Sequence, residues 1–111
     1  MEVNVKEYKH CVLVTIQGRV DSATAPKLNE VFEDLLNRGR FKIVVDMSNV
    51  EYMSSAGFRV LLSAQRACRR YHRGEVVLAL VPPRVLEALE LAGFTKIFRR
   101  FDNLLDAIGY F

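Results

Sequence analysis

Two consecutive serines, Ser54 and Ser55, follow an apolar run and precede Ala56, Gly57 and a helical pattern. A serine placed there can do two things. Its oxygen can accept a hydrogen bond from an N–H group that the first helical turn leaves unpaired. Its hydroxyl can also carry a phosphate, because a helix N-terminus offers free N–H groups and the positive end of the helix dipole. The carboxylates Asp21 and Asp46 form an acid/base pair by residue type only. Asp21 reads as a helix cap and Asp46 as the last residue of a strand, beside the serine loop. His10 and His72 stand alone, and neither Cys11 nor Cys68 has a second Cys or His at metal-ligand spacing. No nucleophile–base–orienter set, phosphate-binding glycine loop or metal set can be assembled from these residues. The expectation is a non-enzyme with no catalytic residue, no metal and no cofactor. Both cysteines lie in apolar contexts and are expected as buried, reduced thiols rather than as a disulfide or redox switch.

A second cluster is basic: Arg59, Arg66, Arg69, Arg70, His72 and Arg73 share one helical stretch. Three readings stay open. The cations can form a solvated face that suits the negative end of the helix. They can dock on an acidic protein surface, or on anionic lipid or nucleic acid. With Tyr71 assigned to the buried stripe, no aromatic side chain interleaves with the arginines, and no nucleic-acid motif is present. A formal charge of +3 is itself too small to imply nucleic acid. No direct nucleic-acid partner is expected. Arg59 lies four residues after Ser55, so on a helix the two share a face.

The elements that must position these residues follow from periodicity. Val3, Val5 and Tyr8 suggest an opening strand, and Cys11–Ile16 a second one ending at Gly18, with a hairpin across Lys9-His10. Asp21 or Ser22 then caps a helix with Pro26 in its first turn. Leu28, Val31, Phe32, Leu35 and Leu36 form its apolar face, and Gly39 ends it. Phe41–Asp46 reads as a strand covered on both faces, and Met47–Met53 as a connector. A long helix runs from Ser54 and Ser55 to about His72, with Leu61, Ala64, Ala67, Cys68 and Tyr71 as its buried stripe, and Gly74 stops it. Glu75–Val81 is the next strand. Pro82-Pro83 opens a helix through Val85, Leu86, Leu89 and Leu91, closed by Gly93. A short strand near Lys96–Phe98 and a last helix capped by Asp102 complete the chain. Strands alternating with helices predict an α/β fold, a sheet with helices packed on it.

The chain has 111 residues, half of them apolar and a quarter charged. That suits one folded domain, residues 1–111, and argues against disorder. The longest apolar runs, Val76–Val81 and Val60–Leu62, fall far short of the ~20 residues of a membrane span. No signal peptide is visible at the N-terminus, so a cytoplasmic protein is expected.

The stretch Val44–Leu62 resembles the STAS family, and within it the anti-sigma factor antagonists. Asp46-Met47-Ser48 matches the family's Asp-Leu-Ser strand end, Tyr52-Met53 its aromatic or apolar pair, and Ser55-Ala56-Gly57 its turn. Gly18-Arg19-Val20-Asp21 resembles its Gly-x-x-Asp, and Gly93–Phe98 its Gly-Leu-x-x-Ile-Phe ending. Two positions depart from the pattern. Ser54 stands where the family has Asp, and Arg59 replaces the second glycine of Gly-Leu-Gly. The resemblance implies a single STAS-like domain with a mixed four- to five-stranded sheet and about four helices. It implies a protein that, unphosphorylated, binds an anti-sigma factor serine kinase and so frees a sigma factor. Phosphorylation, on Ser55 in preference to Ser54, would release it, and a serine phosphatase would reset it. The partner-binding surface implied is Asp21, Asp46, Ser54, Ser55, Ala56, Gly57, Phe58 and Arg59, on a monomer or weak dimer. The alternative within the same fold is a non-switching subunit of a transport complex, such as a lipid-export system, or of a signalling scaffold. A small-molecule or nucleotide ligand is a third possibility for which no residue argues.

Overall fold

The computed structural model describes residues 1–111. An antiparallel hairpin, β1 (Glu2–Glu7) and β2 (Val12–Val20), opens the chain, tied by a 2.8 Å bond from the Tyr8 N–H to the Cys11 carbonyl. Helix α1 (Ala25–Asn37) crosses to β3 (Lys42–Met53), α2 (Ser55–Arg69) to β4 (Glu75–Ala79) and α3 (Pro83–Leu91) to β5 (Arg99–Phe101); α4 (Leu104–Gly109) ends the fold. The five strands lie in the order β1-β2-β3-β4-β5, and every pair after the hairpin is parallel. The result is a mixed α/β sheet.

The strand pattern decides which face each helix covers. Val12, Val14 and Ile16 of β2 and Ile43, Val45 and Met47 of β3 point to one face. There they meet Leu28, Phe32 and Leu35 of α1, Leu61, Ala64 and Cys68 of α2, and Val85 and Leu89 of α3. Their neighbours Leu13, Val44 and Val77 point to the other face, under Ala107 of α4 and the rings of Phe101 and Phe111. Burial on both faces explains the unbroken apolar runs of the central strands.

Several boundaries differ from expectation; β2 runs on to Val20 and β4 stops at Ala79. Met47–Met53 is no connector but the second half of β3, paired with β2 as far as Val20 opposite Met53. Irregularities between Thr15 and Gln17, and between Gly18 and Arg19, space the buried residues Met47, Val50 and Met53 three apart instead of two. That hides the alternation by which a strand is recognised. The last strand begins at Arg99, because Phe98 plugs the core instead of pairing. Asn103, not Asp102, caps α4, its Oδ1 accepting from the Asp106 N–H at 2.8 Å. Finally, α2 stops at Arg69, and a tight turn follows at Arg70–His72. Tyr71 and His72 take left-handed backbone angles, φ 59° and 56°, and Tyr71 is 75% exposed rather than part of the buried stripe. Each such residue costs roughly 1 kcal/mol.

One side chain stitches α2 to the sheet. Gln65 is buried; its amide nitrogen donates to the carbonyls of Val76 and Ile97, both at 2.9 Å, and its oxygen accepts from the Val76 N–H at 2.7 Å. β5 starts only at Arg99, opposite Val77, so Gln65 supplies the amide that a strand would have supplied to Val76. Gln65→Leu should lower stability by about 2–4 kcal/mol in urea unfolding, since it strands buried backbone groups. The cysteines are free and buried, and burial pushes the Cys68 thiol up to about 12 and that of Cys11 above 9.0. Both should alkylate slowly in the native protein at neutral pH, and fast only after denaturation.

Candidate functional site

The site is made by two strand ends lying side by side. Val20 faces Met53, and the Ser54 N–H donates to the Val20 carbonyl at 2.8 Å. Asp21 and Ser54, the next residues on each strand, therefore emerge at the same end of the sheet.

Asp21 closes a turn in front of α1. Its Oδ1 accepts from the N–H groups of Ala23 and Thr24, both at 3.0 Å, and from the Thr24 hydroxyl at 3.1 Å. Its own N–H donates to Thr24 Oγ1 at 2.9 Å. This reciprocal arrangement follows the logic of a capping box. It sits one turn before the helix proper, so Thr24 rather than Asp21 or Ser22 occupies the N-cap position. The Thr24 N–H, above all, holds the Asp21 carboxyl below its ordinary 3.8; the Thr24 hydroxyl and the Ala23 N–H add to the effect. Asp21 is thus an ionised, oriented carboxylate at neutral pH.

Ser54 takes the N-cap position of α2, with extended angles φ −80° and ψ 173°, and its carbonyl accepts from the Phe58 N–H at 3.1 Å. Its hydroxyl makes no cap bond and is buried without a partner. The capping expected of the serines is therefore positional only. Ser55, the first helical residue, is exposed. Arg59 reaches back along the helix, its Nη2 3.4 Å from Ser55 Oγ, a long and weak hydrogen bond. Arg59 makes no ion pair with any carboxylate.

Gly57 lets α2 sit this low. A Cβ there would come within 2.7 Å of Met53 Cγ and 2.9 Å of Val20 Cγ1, the two residues that close the strand pair.

The expected surface is only partly assembled. Asp21, Ser54, Ser55, Ala56 and Arg59 come together at the end of the sheet. Asp46 does not join them. It lies within β3 rather than at its end, on the α4 face beside Val44, and its Oδ1 accepts from the Ser48 N–H at 3.0 Å. The seven residue-to-residue steps from Asp46 to Met53 span on the order of 20 Å of strand. Gly57 and Phe58 are also buried, Phe58 at 3% exposure with its ring edge-on to Phe94, centroids 6.2 Å apart. Both shape the site from beneath and offer a partner no surface.

Four residues at this end, Arg19, Glu51, Tyr52 and Arg84, lie outside the expected partner surface. Arg19 lies over the Tyr52 ring, 4.6 Å from its centroid. With Arg84 and Glu51 they rim a cavity of about 170 Å³ floored by Met53, Val85 and Ala88. The signal was the outward position of Tyr52 on β3, visible only once Met47–Met53 is read as strand.

A five-stranded mixed sheet carrying an exposed serine at the start of the helix after its third strand defines a class of small α/β domains. The chain belongs to the STAS domain family, whose model matches residues 2–107. BtrV of Bordetella bronchiseptica, which carries the name of an anti-sigma factor antagonist, is 33% identical over 98 residues, 88% of this chain and 84% of BtrV. The crystal structure of an anti-sigma factor antagonist from Mycobacterium paratuberculosis has the same fold, with a TM-score of 0.84 and 24% identity, covering 98% of this chain and 92% of that one. The phosphorylated form of the Bacillus cell fate determinant SpoIIAA matches with a TM-score of 0.77 at 14% identity, covering 98% of both chains.

Two outcomes follow from the geometry. Gly57→Ala should cost about 1–3 kcal/mol in denaturant unfolding, because the new methyl meets the stiff Val20 side chain. The Asp21 carboxyl is lowered in the folded protein, so its stabilising effect is present above 3.8 and lost as pH falls through its folded value. Wild type should unfold at higher urea than Asp21→Asn at about pH 6, and the gap should narrow as pH is taken below 3.8.

Proposed function

We propose that the protein is an anti-sigma factor antagonist switched by phosphorylation of Ser55. The observation that carries this reading is the exposed Ser55 hydroxyl at the first position of α2, in a domain whose relative BtrV bears that name. The unmodified end, presenting Ser55, Arg59 and the ionised Asp21, docks on an anti-sigma factor that is also a serine kinase, and a sigma factor is released. The kinase moves the γ-phosphoryl group of ATP onto Ser55 Oγ; the hydroxyl proton leaves and ADP is the second product. A phosphatase uses water to return the hydroxyl and free phosphate.

Physical chemistry favours a switch of surface over a switch of fold. A phosphoserine adds nearly two negative charges and three acceptor oxygens. At the start of α2 it faces N–H groups that the Ser54 hydroxyl leaves uncapped, so the helix tolerates it. The docking end changes in charge and bulk, and the partner leaves. Ser54 in place of the family's aspartate favours the non-switching subunit reading, since that residue belongs to the loop a kinase would recognise.

The test is phosphorylation by the cognate kinase followed by mass spectrometry. Phosphate should appear on Ser55; Ser55→Ala should bind the kinase permanently and Ser55→Asp poorly. Phosphate confined to Ser54, or none, contradicts the proposal. Arg59 supplies a second test. A guanidinium already within reach of Ser55 Oγ should pair with the phosphate, and at an exposed site the gain is at most about 1 kcal/mol. Phosphorylated wild type should therefore melt slightly above its unmodified form at low salt, an increment that salt screens out and that Arg59→Gln removes.

A further inference from the structure

The end of the molecule opposite Ser55 has its own chemistry. Lys42 opens β3, and Ser55 follows the far end of the same strand, so the two mark opposite poles. Two open depressions at the Lys42 pole share Lys42 and Arg73; one adds Arg69 and His72, the other Lys9 and Arg40. Arg40 is paired with Glu7 and Arg69 with Glu75, at 3.1 and 3.6 Å. Lys9, Lys42, Arg70 and Arg73 make no ion pair. Four cations without a carboxylate partner therefore lie on this one end.

Tyr71 sits among these cations. It is the most exposed aromatic side chain at 75%, and the guanidinium groups of Arg70 and Arg73 lie 5.2 and 5.7 Å from its ring centroid. The left-handed backbone at Tyr71 and His72 holds it there, against the ordinary preference of both residue types. Strain of this kind persists where the surroundings impose it, and it clusters at binding sites. Contrary to expectation, an aromatic side chain, Tyr71, does interleave with the arginines.

We infer that this pole is a docking surface for an anionic lipid bilayer. A bilayer surface attracts clustered Lys and Arg without requiring a shape match. An amphipathic ring flanked by cations suits the headgroup layer, where its apolar body and polar hydroxyl are both accommodated. A protein partner of this size would need a desolvated, shaped centre, and here Tyr71 projects beyond open depressions instead. The Ser55 pole faces away from such a bilayer and stays accessible, so this surface operates independently of the switch.

Vesicle sedimentation of the unmodified 111-residue chain tests the inference. The protein should sediment with phosphatidylcholine vesicles containing about 30 mol % phosphatidylserine and remain in solution with pure phosphatidylcholine. Raising salt from about 0.1 to about 0.5 M should release it. Lys42→Glu combined with Arg70→Glu should lower the partition coefficient at least about tenfold. Tyr71→Asn should lower it several-fold while the melting temperature holds or rises, because Asn accepts the left-handed conformation more readily. That pairing separates a binding role from a structural one. Equal sedimentation with both vesicle types, no sedimentation, or no effect of the charge reversal overturns the inference. So does tighter binding to polyglutamate or to a single-stranded oligonucleotide at the same salt, which would assign the pole to an acidic protein or to nucleic acid.

Discussion

The site depends on the parallel pairing of β2 and β3 being carried past its expected end. Val20 opposite Met53, and the Ser54 N–H on the Val20 carbonyl, bring two distant turns to one place. One turn is closed by Asp21 and Thr24; the other starts α2. Irregularities in the ladder let the strands continue in register while turning Met47, Val50 and Met53 into the core. Without that extension Ser55 would begin a helix on a loose connector, and no oriented carboxylate would stand beside it.

Helix α2 is then fixed along its length. Gly57 seats its first turn against Met53 and Val20, Phe58 anchors the same turn edge-on to Phe94, and Gln65 ties its middle to Val76 and Ile97. A helix held at so many points is a platform rather than a hinge. Charge added at Ser55 then acts on whatever docks there, because little in the helix is free to yield. The strained Tyr71–His72 turn lies at the other end of α2, so one helix carries an exposed serine at its start and a basic, aromatic tip just past its finish.

Much of this was legible in the residues. Apolar runs at Cys11–Ile16, Phe41–Asp46 and Glu75–Val81, alternating with helical patterns, were enough for a sheet with helices on it, and the Ser54–Gly57 turn marked the start of α2. The failures share a cause, which is tertiary structure overriding local pattern. The strand through Met47–Met53 lost its alternation to ladder irregularities. Tyr71 fitted a helical stripe that ended two residues earlier, at Arg69. Asp46 looked like a strand end only because the strand was cut short. Phe58 matched a family position whose side chain serves the core, and sequence spacing alone does not separate a residue that shapes a surface from one that forms it.

The central claim is that phosphate at Ser55 changes the surface of α2 and leaves its fold intact. Hydrogen exchange of the Phe58, Arg59 and Val60 amides, the first in α2 whose N–H groups have a carbonyl one turn back to pair with, in protein carrying phosphoserine at position 55 from translation, tests it without any partner. Exchange equal to or slower than in the unmodified chain is the predicted result. Faster exchange across that turn would show that phosphorylation melts the helix, and would contradict the account.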